Sequence, residues 1–160
     1  MTWKNVETRL DAIERLALSG SAEAVLPLIR NSNNEPKYIV EPAELAVLRI
    51  GSNSVRPLIA MLESPEEIRG NRHRAIRLLG ELGAVESVRP MLIANDRGLF
   101  THVVENALNQ LGARATEELL KFALDAEQVE ESRRIAIDKV GEKGVERSPN
   151  TLPESRLPST

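Results

Sequence analysis

The sequence predicts an all-α fold, a right-handed α-solenoid of about four and a half stacked helical hairpins. Three observations carry that prediction. Glycines recur at Gly20, Gly51, Gly83, Gly112 and Gly144, at intervals of 31, 32, 29 and 32 residues. Eight residues before each stands Ala12, Ala43, Ala75, Val104 or Ala136, and four before each stands Leu16, Val47, Leu79, Leu108 or Val140. A second motif follows the first three glycines: Val25-Leu26-Pro27-Leu28-Ile29, Val55-Arg56-Pro57-Leu58-Ile59 and Val88-Arg89-Pro90-Met91-Leu92. A fourth copy, Glu117-Glu118-Leu119-Leu120, keeps the aliphatic pair and loses the Pro.

Each element follows from these spacings. Steps of four set small and aliphatic residues on one face of a helix. The small residue lets a neighbouring helix come close, and the larger one fills the layer between repeats. Gly ends this first (A) helix by taking a left-handed conformation. Pro falls in or near the first turn of the second (B) helix, where a missing N–H costs least. The A helices are expected over 4–19, 41–50, 71–82, 100–111 and 130–141. The B helices are expected over 22–31, 53–63, 85–95 and 114–126. One hairpin cannot bury its own apolar face, so neighbouring hairpins must stack into one core. The fifth unit has only its first helix, which would cap the stack. The repeat region is therefore drawn as 1–147. Residues 148–160, rich in Pro and Ser and without helical period, are expected to be a disordered tail.

Within residues 71–93 stand Arg74-Ala75, Leu79-Gly80-Glu81-Leu82-Gly83 and Val88-Arg89-Pro90. This segment resembles the HEAT-like repeat first described in phycobilisome lyases. The other repeats resemble it more weakly, and together the resemblance spans roughly residues 5–144. It implies the helical-hairpin stack. Among functions it implies bilin lyases, regulatory subunits and protein-binding scaffolds, and fold alone does not choose among them.

Composition narrows the choice. The net charge is −3 and aromatics are 2% of the chain. An acidic chain is poorly suited to neutralising phosphates, and base stacking needs aromatic rings. No nucleic-acid partner is expected, and a relation to helical-repeat DNA glycosylases is disfavoured. With no Cys, thiolate metal sites and disulfides are excluded. The start of the chain has no apolar leader pattern, and no apolar run approaches the roughly 20 residues that span a bilayer. A cytoplasmic protein with no membrane partner, no metal and no cofactor is expected.

No catalytic constellation emerges, so the candidate residues are ones that would meet a partner. Arg56 and Arg89 hold equivalent positions, each directly before the B-helix Pro. Stacking would set them about 8–10 Å apart. Glu117 and Glu118, with Asp125, Glu127, Glu130 and Glu131, make the other end acidic with few nearby cations. The B-helix surface is thus expected to run from basic to acidic and to steer a protein partner. Arg56, Arg89, Glu117 and Glu118 are the expected partner-binding residues.

Other features have plainer readings. His73 and His102 lack the further ligands a metal needs and are expected to face solvent. Arg69, Arg72, Arg74 and Arg77 are spaced so as to scatter around a helix, which reads as a solvated surface. Trp3 would staple the first helix. Tyr38 is placed in the longest loop, after 31–37. Glu66 and Glu67 would favour a helix start through its dipole. The expected function is a non-enzymatic scaffold or adaptor that binds a protein on its B-helix, concave face. The alternative is a bilin lyase or lyase-like subunit acting on a chromophore-bearing protein.

Removing residues 148–160 is expected to leave the melting temperature unchanged, because that segment offers no apolar periodicity to bury. A clear fall in a thermal scan of the truncated chain would show that the segment docks on the stack.

Overall fold

A computed structural model describes residues 3–146 of the chain. The 148–160 segment and the Trp3 side chain lie outside what it describes. Among the described residues the chain is all-helical, without strands. Its α-helices are α1 (Trp3–Ser19), α2 (Val25–Asn31), α3 (Lys37–Ile50), α4 (Val55–Glu63), α5 (Arg69–Glu81), α6 (Val88–Ala94), α7 (Thr101–Leu111), α8 (Thr116–Leu124) and α9 (Glu130–Glu146).

The glycine spacing marks the turns between paired helices. Gly51 has φ +73°, and Gly20, Gly83 and Gly112 also take positive φ, a region that costs other residues a Cβ clash. Gly144 does not: α9 runs through it to Glu146. After each turn a 3₁₀ segment leads straight into the B helix: Ala22–Ala24, Gly51–Ser54, Val85–Ser87 and Gly112–Ala115. Two of these segments are pinned by buried hydroxyls. Ser54 Oγ donates to Val47 O at 2.7 Å, and Ser87 Oγ donates to Ala84 O at 2.6 Å.

The expected starts of the A helices hold to within two residues in all cases but one. The second A helix is expected over 41–50, yet α3 begins at Lys37 with Pro42 inside it. Pro removes one helical N–H, but this turn keeps Val40 N–H bonded to Pro36 O at 3.1 Å. Tyr38 accordingly stands in the first turn of α3, exposed, and not in a loop.

Packing joins neighbours in two rows. α1, α3, α5 and α7 contact in succession, as do α2, α4, α6 and α8. α9 packs on α8 and also reaches α6. One apolar core runs through the whole set, from Val25 and Ile29 through Val47, Leu58, Ile76, Leu79 and Leu92 to Leu108, Leu119, Phe122 and Ala136. The stretch Lys37–Glu63 is long and apolar enough by composition to cross a bilayer. Here it is two helices folded back at Gly51, and both contribute to this core.

The joints between A helices alternate. α1 lies along α3, and α5 along α7, whereas α3 and α5 touch only briefly. The residues at the crossings account for this. At α5–α7 a Cβ added to Gly80 would lie 2.7 Å from Ala107 Cα and 2.8 Å from its Cβ, so the backbones nearly touch. The equivalent residues at α1–α3 are Ala17 and Ala46, both small and buried. At α3–α5 they are Leu48 and Leu78, whose bulk holds the axes apart.

A polar joint occupies α3–α5 instead. Glu44 of α3 accepts from Arg74 Nε at 2.7 Å, and its other oxygen is held by Arg77. Arg74 also donates to Ile29 O at 2.9 Å and Ser32 Oγ at 2.8 Å, capping the end of α2. The Arg74 and Glu44 side chains are each only 13% exposed. Deleting one partner of so buried a pair leaves an uncompensated charge, at a cost of about 3–5 kcal/mol.

The contrast between Gly80 and Gly141 is testable. Gly80→Ala forces α7 to move, an overpacking cost of about 1–3 kcal/mol, set against an intrinsic helix gain of about 1 kcal/mol. Gly141 has nothing within 4 Å of an added Cβ, so Gly141→Ala keeps the helix gain alone. Urea denaturation of the two variants should place Gly80→Ala below Gly141→Ala by about 1–3 kcal/mol. Equal stabilities would mean that α5 and α7 do not approach closely at Gly80.

Candidate functional site

The B helices place the expected partner-binding residues at their starts. Arg56 is the second residue of α4 and Arg89 the second of α6, and α4 packs against α6. The two share a register on adjacent helices, as the repeat predicts. Their environments differ. Arg56 is exposed, and among the described residues no hydrogen bond or ion pair engages it. Arg89 Nη2 donates to Asp125 Oδ2 at 3.0 Å, and its guanidinium lies 5.8 Å from the Phe122 ring centre. A cation over a ring face is attracted by the ring quadrupole. Arg89 is therefore a tie between α6 and the end of α8, and only part of its charge is free to meet a partner.

The acidic end is also more neutralised than its sequence suggests. Glu117 and Glu118 stand in the first turn of α8, and Lys121 Nζ lies 2.9 Å from a carboxylate oxygen of each. The hydrogen bond from Lys121, with its charge, lowers the Glu117 carboxyl below its ordinary value. The same two carboxylates raise Lys121 above its ordinary value. Arg134 pairs with Glu131 at 2.9 Å. Asp125 accepts from Arg89, from the Glu127 backbone N–H and from Gln128, and together these hold its carboxyl low. Helical i, i+3 and i, i+4 pairs and one long-range Arg meet Glu117, Glu118, Glu131 and Asp125, so fewer of these acids lack a cation than expected.

The arginine run has become internal structure. Arg72 donates to Ser64 O, Arg69 donates to Leu99 O at 3.1 Å and lies 5.9 Å from the Phe100 ring centre, and Arg74 and Arg77 hold Glu44. These residues scatter around α5 as their spacing predicts. Neighbouring helices supply acceptors on several of its sides, so the run is not a solvated surface. His73 and His102 are both exposed. His102 Nδ1 is 3.9 Å from Glu105.

Glu67 has a role that the expected helix-dipole reading did not include. It sits in the α4–α5 loop with its side chain 5% exposed. One carboxylate oxygen accepts from Arg30 Nε and Nη2 at 3.0 and 2.8 Å, and the other accepts from Asn71 Nδ2 at 2.7 Å. Beyond any helix-dipole effect, it ties the end of α2 to the start of α5.

A cleft of about 150 Å³ opens between α1, α2 and α3, lined by Ala12, Ile13, Leu16, Leu28, Ile39 and Ala43. Arg9, at its edge, is paired with Glu35 at 3.0 Å. The space suits one small apolar group.

No known protein-family model matches the chain, and no curated protein matches it. The surface must be read from its own chemistry. Its free features are Arg56 and a set of exposed apolar residues on the same row of helices: Ile93 of α6, and Leu120 and Leu124 of α8.

Glu67 gives a pH prediction. Burial by itself would raise its carboxyl, but the Asn71 hydrogen bond and the Arg30 hydrogen bond and charge outweigh it, and the net shift is downward from 4.5. A depressed carboxyl stabilises the fold above the unfolded value and loses that contribution as pH falls through the folded value. Glu67→Gln should therefore cost about 1–3 kcal/mol at pH 7, with the difference from the parent shrinking below pH 4.5. Denaturation curves at neutral and acid pH that show a constant difference would place the contribution in packing.

Proposed function

We propose that this chain is a non-enzymatic adaptor of HEAT-like repeats. On this reading the hairpins wind as a right-handed α-solenoid, and a protein partner lies along the B helices α2, α4, α6 and α8. The observation that carries it is the shared register of Arg56 and Arg89 on packed helices, with exposed Ile93 one turn beyond Arg89 on α6. Apolar side chains flanked by charge are what a protein interface needs, with apolar area for affinity and rim charge for steering. Neighbour-to-neighbour packing in two rows supports the solenoid reading, because such stacks expose one long continuous surface. Glu117 and Glu118 contribute to the far end of that surface, through carboxylates shared with Lys121.

The charge to probe is Arg56, since Arg89 also holds α8. A partner recovered from native lysate and identified supplies the ligand. Stopped-flow association at two salt concentrations should then show Arg56→Glu slowing association by about 2- to 10-fold at low salt, with the gap closing at high salt. Unchanged rates for a folded variant would move the binding surface off the B helices.

A further inference from the structure

The end of the stack at α8–α9 is built like an internal joint, but among the described residues no helix covers it. Residues 51–81 and 112–142 align without a gap at a constant spacing of 61 residues. The helices keep that register: α4 and α5 begin at Val55 and Arg69, α8 and α9 at Thr116 and Glu130. The pair α4–α5 is covered by the next hairpin, α6 lying on α4 and α7 on α5. Under that cover Ile76 is fully buried, and Gly80 meets Ala107 and Gln110 at less than 3 Å from a built Cβ.

Their counterparts on α9 are open. Ile137, in the place of Ile76, is 54% exposed. Gly141, in the place of Gly80, has nothing within 4 Å. Leu120 of α8, in the place of the partly buried Ile59, is 43% exposed. Ala136, in the place of Ala75, is fully buried, so α9 is seated on its inner side as α5 is. Among the described residues the outer side alone has no helix on it.

We propose that the α8–α9 face is a docking site for a helical hairpin of a partner protein. One helix of that hairpin crosses α9 at Gly141 with Ala or Gly at the contact, as α7 crosses α5 at Gly80 with Ala107. The other lies on α8 across Leu120, as α6 lies on α4. The opposite end of the stack shows that this chain's own first helix is not the occupant. In α1 the position equivalent to Ala107 is Arg15, paired with Asp11 at 2.9 Å and 78% exposed. A long charged side chain there cannot enter a contact that admits only a small one, so head-to-tail stacking of copies does not fit.

The chain contains a hairpin of the required kind, and it serves as the probe. A synthetic peptide copying residues 84–115 is titrated into the full ¹⁵N-labelled chain. In a second format, residues 84–126 are fused after Gly144. Docking predicts that amide signals of residues 137–142 shift with the peptide, or that the fusion melts higher than the parent with its added helices protected from proteolysis. Ile137→Glu and Gly141→Arg are both on exposed positions; Ile137→Glu should leave the parent's own melting unchanged, and Gly141→Arg should raise it slightly by removing a glycine from the helix. Each should weaken peptide binding at least tenfold and return the fusion to the melting temperature of the parent carrying the same substitution. Absence of docking in both formats, or docking indifferent to both variants, overturns the proposal. So does sedimentation showing a dimer that Gly141→Arg dissolves, which gives the face to a second copy. Peptide binding that appears only when residues 147–160 are removed would give it to the chain's own C-terminal segment, and that also overturns the proposal.

Discussion

The architecture rests on how closely two backbones approach at α5 and α7. With no Cβ at Gly80, Ala107 can come into contact with the helix backbone itself. Dispersion falls steeply with distance, so that approach brings the flanking aliphatic residues into full contact. Ile76, Leu79, Val104 and Leu108 are all fully buried around this joint. Where the crossing residues are the larger Leu48 and Leu78, the same gain is out of reach, and the wider space between α3 and α5 has to be filled by something longer. Arg74 and Arg77 reach across it to Glu44. The alternation of close apolar joints and wide polar ones thus follows from side-chain volume at two positions per repeat, three and five residues before the repeat glycine.

That polar joint changes what the charges are for. An Arg on a helix surface is ordinarily free to steer a partner, yet Arg74 spends its donors on Glu44, on Ile29 O and on Ser32 Oγ. Arg30 is turned to Glu67 in the next loop, and Arg89 to Asp125 one repeat further on. Each spans about one repeat and ties the end of one helix to a neighbouring hairpin. Exposed ion pairs contribute little, about 0–1 kcal/mol; these have at least one partly or largely buried member, and so fix register as well as charge. Arg56 is outside every such tie and exposed on the B-helix row.

The helices, their order and most of their limits were legible because they depend on local signals. Gly51 with a left-handed turn, Pro57 near a helix start and aliphatic steps of four act within a few residues of each other. The start of α3 was less legible: the helix begins at Lys37, before the expected 41, and carries Pro42 inside it, where a Pro ordinarily stands in a first turn. The charge roles were not legible for a different reason. The Arg74–Glu44 pair joins residues 30 apart, and Glu67–Arg30 joins residues 37 apart. Repeat spacing puts these in contact, but nothing in one sequence says which acid meets which base. Gly80 was in view as part of Leu79-Gly80-Glu81-Leu82-Gly83. Its meaning needs the neighbouring Ala107, because a glycine within a helix reads only as a weak point until something is seen to press on it.

The two ends of the stack differ in the same physical terms. Stacked repeats leave an unfinished face at each end, and solubility favours covering it with polar groups. α1 does so: Asp11 and Arg15 pair on its exposed side, and Arg15 occupies the contact position that Ala107 fills in α7. α9 does the reverse. It keeps Gly141 where a polar cap would place a long side chain, and it keeps Ile137 beside it. Glycine inside a helix costs about 1 kcal/mol relative to Ala, and at Gly80 that cost is offset by a closely packed neighbour. At Gly141 the described residues offer no such offset. A position that carries the cost of close packing without its return is the strongest physical reason to look for the missing helix there.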